Sequence, residues 1–288
     1  MKKLVISASR RTDIPAFYLQ WFITAIKNGN ISVQNPFYKK QYYQINLSPG
    51  VVEWIVFWSR NYSVFLKHHT FFSDYQLFFH FTVLSHHPLL EKLAIPLEKA
   101  IVQAEKLVKI YQSERITWRY DPIVIWHDNK QIKTNFNKKE FKFLCRHFAQ
   151  MGIKRCYFSF VTKYMKFERR FYRKYPNLQL ELNNTLLQND ILSIMQDSAA
   201  ENNTKLYSCC NDTLLRTGIE KGSCISGSYL NRLTGYPSVS EAKAPTRRTS
   251  SPTWATERTS ILARLRSALR WPPSCRSPTS CSTTTPWR

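Results

Sequence analysis

No stretch of the sequence holds more continuous apolar residues than a short strand needs, so no membrane span is expected. Walker loops, GxGxxG, HExxH and GxSxG are all absent, which removes the commonest nucleotide, zinc-peptidase and hydrolase signatures. No internal repeat is visible beyond an alternation of strand-like and helix-like segments. Acidic residues are scarce: 19 Asp and Glu face 42 Lys and Arg, a formal net charge of +23. A field of that sign steers polyanions such as nucleic acid. Much of the excess, however, is Lys and Arg scattered on polar helix faces, as over 163–174, and part lies near the C-terminus. Solvated surface charge is then the simpler account, and a nucleic-acid or nucleotide groove the alternative.

The 288 residues, 43% hydrophobic, suffice for one large α/β domain or two smaller ones. Ser9-Arg10-Arg11 has the look of a twin-arginine export signal, but Asp13 and Pro15 follow at once where an apolar block belongs. A cytoplasmic protein is expected. Seven cysteines in such a chain suit reduced thiols, buried or metal-bound, rather than a disulfide framework.

Residues 3–8 form a continuous β-branched run typical of a buried parallel strand. Asp13 then stands where a helix N-cap belongs, with Pro15 in the first turn, and the helix runs to about Asn28-Gly29. The same unit recurs: strands over 52–58, 75–84, 115–125, 155–162 and 205–210 alternate with helices near 62–72, 96–112, 138–151, 163–174 and 186–201. The pattern predicts an α/β fold, a full or partial (β/α) TIM-like barrel of about six βα units; an open doubly wound sheet is the alternative.

From about Tyr236 the composition changes. Residues 237–288 contain no Phe, Tyr or Asn and a single Ile, Ile261, while Arg replaces Lys and Ser, Thr, Pro and Ala fill the rest. The sequence therefore divides into a domain over 1–235 and a low-complexity tail over 236–288, expected to stay mostly disordered apart from a short helix over 259–271. The shift from A/T-rich to G/C-rich codon preference also fits a changed reading frame or joined foreign DNA.

In such a fold the chemistry gathers where strands end. Those positions hold Ser7, Ser9, Arg10, Arg11 and Asp13; Trp58, Ser59, Arg60 and Asn61; His80 and Thr82; Arg119, Tyr120 and Asp121; Ser159 and Thr162; and Cys209 to Asn211. Arginine is abundant there and general bases are few. Guanidinium forks bind phosphates and carboxylates, so Arg10, Arg60 and Arg119 point to a small anionic ligand. Each has a plainer account: Asp13 as a cap, and Arg119 with Asp121 as an ion pair sharing one strand face at i, i+2. The doublets His68-His69 and His86-His87 have divergent side chains and no helical i+4 partner, so no metal site is expected from them. Cys145 and Cys156 fall where core thiols belong, whereas Cys209, Cys210 and Cys224 flank the end of the sixth strand; Cys275 and Cys281 lie in the tail.

Several ordered motifs then resemble one family. VISASRRTDIPAFY with WF (5–22), VQNPF (33–37), IVFWSRN (55–61), FHFTV (79–83), WRYDPI (118–123), the SF of 159–160 and GIEKGSCI (218–225) are similar to the bacterial family called domain of unknown function 1848, over roughly 3–235. The resemblance implies that intact members carry a closely spaced cysteine group like that of radical S-adenosylmethionine enzymes, with a [4Fe–4S] cluster. This chain departs from that pattern. The cysteine group is replaced by the segment from Tyr236, Cys209-Cys210-Asn211 stands for Cys-x-Glu, Cys224-Ile225-Ser226 for Cys-Ile-Asp, and His80 for a Gln. The resemblance therefore implies a truncated or frame-shifted member without cluster or S-adenosylmethionine. It carries substrate-site roles to Arg10, Arg11, Asp13, Arg60, Asn61, Arg119 and Asp121.

Overall fold

The computed structural model describes residues 3–239, apart from 10–11, 35–37, 39, 88, 91–94, 130, 163–164, 210 and 238. Of the expected tail over 236–288, residue 238 and residues 240–288 with the short helix lie outside the described residues, as do Arg10, Arg11 and Cys210.

The strands are β1 (Leu4–Ser7), β2 (Asn30–Gln34), β3 (Tyr42–Asn46), β4 (Val52–Ser59), β5 (Gln76–Thr82), β6 (Ile116–Ile123), β7 (Ile125–Asp128), β8 (Gln131–Thr134), β9 (Arg155–Phe160), β10 (Leu178–Leu180), β11 (Lys205–Cys209) and β12 (Ile219–Gly222). The helices are α1 (Leu19–Lys27), α2 (Ser63–Lys67), α3 (Leu97–Tyr111), α4 (Lys138–Gln150), α5 (Met165–Lys174), α6 (Thr185–Glu201) and α7 (Gly227–Thr234). All six expected strands and six expected helices are present. The first helix begins as a π-helical turn, Ile14–Tyr18, capped by Asp13, whose Oδ1 accepts from the Ala16 amide at 3.0 Å.

Seven strands make one curled, all-parallel sheet in the order β1-β4-β5-β6-β9-β11-β12. This corrects the expected TIM-like (β/α) barrel of about six units. A barrel needs its first and last strands to pair, with strand number and stagger that fit closure. Here the order starts at β1 and stops at β12, with no pairing between them among the described residues. β12 has only four residues, and its Glu220 and Lys221 face solvent, as edge strands commonly do. Hydrophobic alternation is the same in open and closed sheets, so the sequence pattern cannot register the difference.

The described residues fold as two compact units: one within 3–58, 67–77 and 227–239, the other within 59–66 and 78–226. In the first, β1 pairs with β4 in parallel, and Phe22, Phe57 and Phe72 pack ring against ring, with Phe22 and Phe72 stacked at 6.3 Å. The hydroxyls of Ser7 and Ser9 are buried there without a hydrogen-bond partner among the described residues.

In the second unit, one face of β6 presents Trp118 and Tyr120. Trp118 stacks on Phe148 of α4 at 5.0 Å and donates from Nε1 to the Val83 carbonyl at 2.9 Å; Tyr120 packs edge-on to Phe141. Burying an aromatic of this size contributes roughly 2–3 kcal/mol. Cys145 and Cys156 are both fully buried core thiols, as expected. A small antiparallel sheet, β10-β7-β8, completes this unit, while the β2–β3 hairpin belongs to the first.

Candidate functional site

Side chains alternate across a strand, so the residues between Trp118 and Tyr120 face the other way. Thr117, Arg119 and Asp121 share that second face of β6. The register extends it sideways: Arg119 lies opposite Thr82 on β5 and Tyr157 on β9, Thr117 opposite His80, and Tyr157 in turn opposite Tyr207 on β11. Cys209 is two residues beyond Tyr207 on the same face.

Arg119 is the centre of this group and only 6% exposed. Its Nε donates to Asp121 Oδ1 at 3.3 Å, its Nη2 donates to Asp121 Oδ2 and, at 3.5 Å, to Cys209 Sγ. The guanidinium also lies over the Tyr157 ring, 5.7 Å from its centroid. Burial works against its charge, but Asp121, then Cys209 and Cys224, outweigh this and hold Arg119 above its ordinary value. One donor is left over: Nη1 is buried with no hydrogen-bond partner among the described residues.

Beside it, Arg155 donates from Nη2 to Tyr157 Oη at 2.8 Å and lies over the Tyr207 ring at 4.7 Å. Burial raises the Tyr157 phenol, against the opposing pull of Arg155. His80 is fully buried. Its Nε2 carries the proton, because the atom it bonds at 2.8 Å is the carbonyl oxygen of Cys224, which can only accept. Burial and then the charge of Arg119 push His80 well below its ordinary value, so the ring is neutral.

Cys224 follows β12, and a glycine brings it here. At Gly222, opposite Cys209, an added Cβ would meet a Tyr157 ring carbon at 2.8 Å and the Ser208 carbonyl oxygen at 2.9 Å. Only glycine lets β12 approach β11 so closely. The loop beyond it sets Cys224 Sγ 3.4 Å from Cys209 Sγ.

The sequence-derived candidates divide accordingly. Arg119 and Asp121 come together as an ion pair. Arg60 is half-buried just past β4, and Asn61 works locally, its amide donating to Ser59 Oγ and its Oδ1 accepting from the Ser63 amide at the start of α2, both at 2.9 Å. Asp13 is the cap described above. His80 stands among the strand-end positions but not among the expected binding residues; Arg155, Tyr157 and Tyr207 lie away from the strand ends, and the alternate positions of RCYFSF and KLYSC would have pointed to them. Of the histidine doublets, His87 packs edge-on to Trp126, its ring lowered from the ordinary value chiefly by burial.

Among the described residues no three His, Cys, Asp or Glu side chains are grouped to hold a metal ion, and no helix is long and apolar enough to cross a membrane. Two thiols converge; a site-differentiated [4Fe–4S] cluster takes three.

The family model of a domain of unknown function, DUF1848, matches residues 5–253, a span that continues past Tyr236. No curated protein and no solved structure matches the chain.

Proposed function

This chain belongs to the DUF1848 family, and we propose that it binds a small anion, a phosphate or carboxylate, at Arg119, without carrying an iron–sulfur cluster. The observation that carries this reading is the unused, buried Nη1 of a charged guanidinium whose other donors are committed to Asp121 and Cys209. A buried N–H without an acceptor costs about 1–3 kcal/mol, which an anion's oxygen would return. Beside it the neutral His80 adds no competing cation. In this reading the chain is a degraded member of a family whose intact members use the cluster, retaining the anion site alone.

The test is thermal unfolding in the presence of inorganic phosphate. A ligand at one hundred times its Kd stabilises the folded state by about 2.7 kcal/mol, readily seen as a rise in Tm. Arg119→Lys keeps a positive charge beside Asp121 but removes the fork; it should fold, by near-ultraviolet circular dichroism, and lose the phosphate shift. A folded Arg119→Lys protein with an unchanged shift overturns the reading. Stabilisation by duplex DNA but not by phosphate, falling steeply with salt, would replace it with nucleic-acid binding.

A further inference from the structure

We infer that Cys209 and Cys224 are a redox-modified pair, joined by a reversible disulfide. Their sulfurs are 3.4 Å apart, and two independent constraints keep them so. Cys209 ends β11 opposite Gly222, whose missing side chain lets β12 close in, and the Cys224 carbonyl is tied to His80 Nε2 at 2.8 Å. Closing the gap to a bonded distance of about 2.05 Å asks for a small side-chain rotation rather than a backbone shift. Cys224 lies in the loop after β12, outside helix and strand, where that rotation is available.

The surroundings favour sulfur chemistry over metal binding. Arg119 Nη2 lies 3.5 Å from Cys209 Sγ, a positive charge that repels a cation and favours the thiolate, the nucleophile of thiol exchange. No third ligand is grouped with the pair among the described residues. The two sulfurs also differ in access: Cys209 is buried and Cys224 partly exposed, so an oxidant reaches Cys224 first.

With hydrogen peroxide as the oxidant, the Cys224 thiolate attacks one peroxide oxygen and the O–O bond breaks. The departing hydroxide takes up a proton as water, leaving a sulfenic acid. The Cys209 thiolate then attacks that sulfur; the S–S bond forms, the S–O bond breaks, and a second water leaves. Two thiols and one peroxide thus become one disulfide and two waters, with two electrons passing from sulfur to oxygen. A dithiol reductant reverses the change. This inference does not depend on the anion reading.

The experiment treats the reduced full chain with hydrogen peroxide, blocks remaining thiols with an alkylating agent, and maps non-reduced tryptic peptides by mass spectrometry. The expected result is residues 206–216 linked to 222–232, with fragment ions placing the bond at Cys209 rather than Cys210, and full release by dithiothreitol. Cys209→Ser and Cys224→Ser should each abolish the link, and Cys210→Ser should retain it. A Cys224 recovered only as alkylated or over-oxidised monomer peptide overturns the inference. So does a bond that the fragment ions of the unmutated chain assign to Cys210.

Discussion

His80 shows how one buried side chain ties stability to pH. The unfolded chain takes up a proton at this residue near pH 6.5, whereas the folded chain, where burial and Arg119 oppose the charge, does not. Its contribution is therefore fully present above about pH 6.5 and falls as the pH drops toward the folded value, by at most about 1.4 kcal/mol per pH unit. His80→Gln keeps an N–H for the Cys224 carbonyl and removes the titration. Urea unfolding between pH 6.5 and 5 should show a shallower loss of stability in the variant; equal slopes would contradict the assignment. At this scale Arg119 and Asp121 were legible, because i, i+2 spacing on a strand puts two side chains on one face whatever the fold. Arg155 and Tyr157 were passed over because they sit at the start and middle of β9, and only the register of neighbouring strands brings them to Arg119.

Among the elements, β6 depends on a side chain from beyond β8. The strand's pairing with β9 shifts register between Tyr120 and Ile123, around the cis Asp121–Pro122 bond, and Asn135 fills the gap. Its Oδ1 accepts from the Val124 amide at 2.7 Å and its Nδ2 donates to the Pro122 carbonyl at 3.1 Å. Asn135→Ala leaves both backbone groups unpaired and should destabilise the protein by about 2–3 kcal/mol in chemical denaturation. Gly222→Ala should push β12 away from Ser208 and Tyr157, costing about 1–3 kcal/mol and slowing formation of the Cys209–Cys224 link in the peptide map. A variant as stable as the parent and as quickly linked would show that the close approach is not needed. The long amphipathic helices and buried strands were legible from their periodicity. The β2–β3 hairpin and the β10-β7-β8 sheet were not: β3 and β8 are mostly exposed and short, so neither carries the apolar alternation by which a strand announces itself.

For the whole molecule, composition pointed to a basic α/β protein and the motifs to its family, while the openness of the sheet was hidden, since closure depends on stagger and on the short β12 rather than on any residue type. The net charge of +23 belongs to the full chain and does not by itself choose between a polyanion and a small ligand. The proposed reading makes that choice through Arg119, whose buried fork with one unused donor would take an oxygen that can be fully enclosed. The most direct measurement is a crystal structure of the protein soaked in selenate, a phosphate-like anion located by anomalous scattering. The account predicts a selenium peak with an oxygen within hydrogen-bond distance of Arg119 Nη1. Well-ordered density in which Nη1 meets only water or protein atoms, with selenium bound elsewhere on the surface, would contradict it.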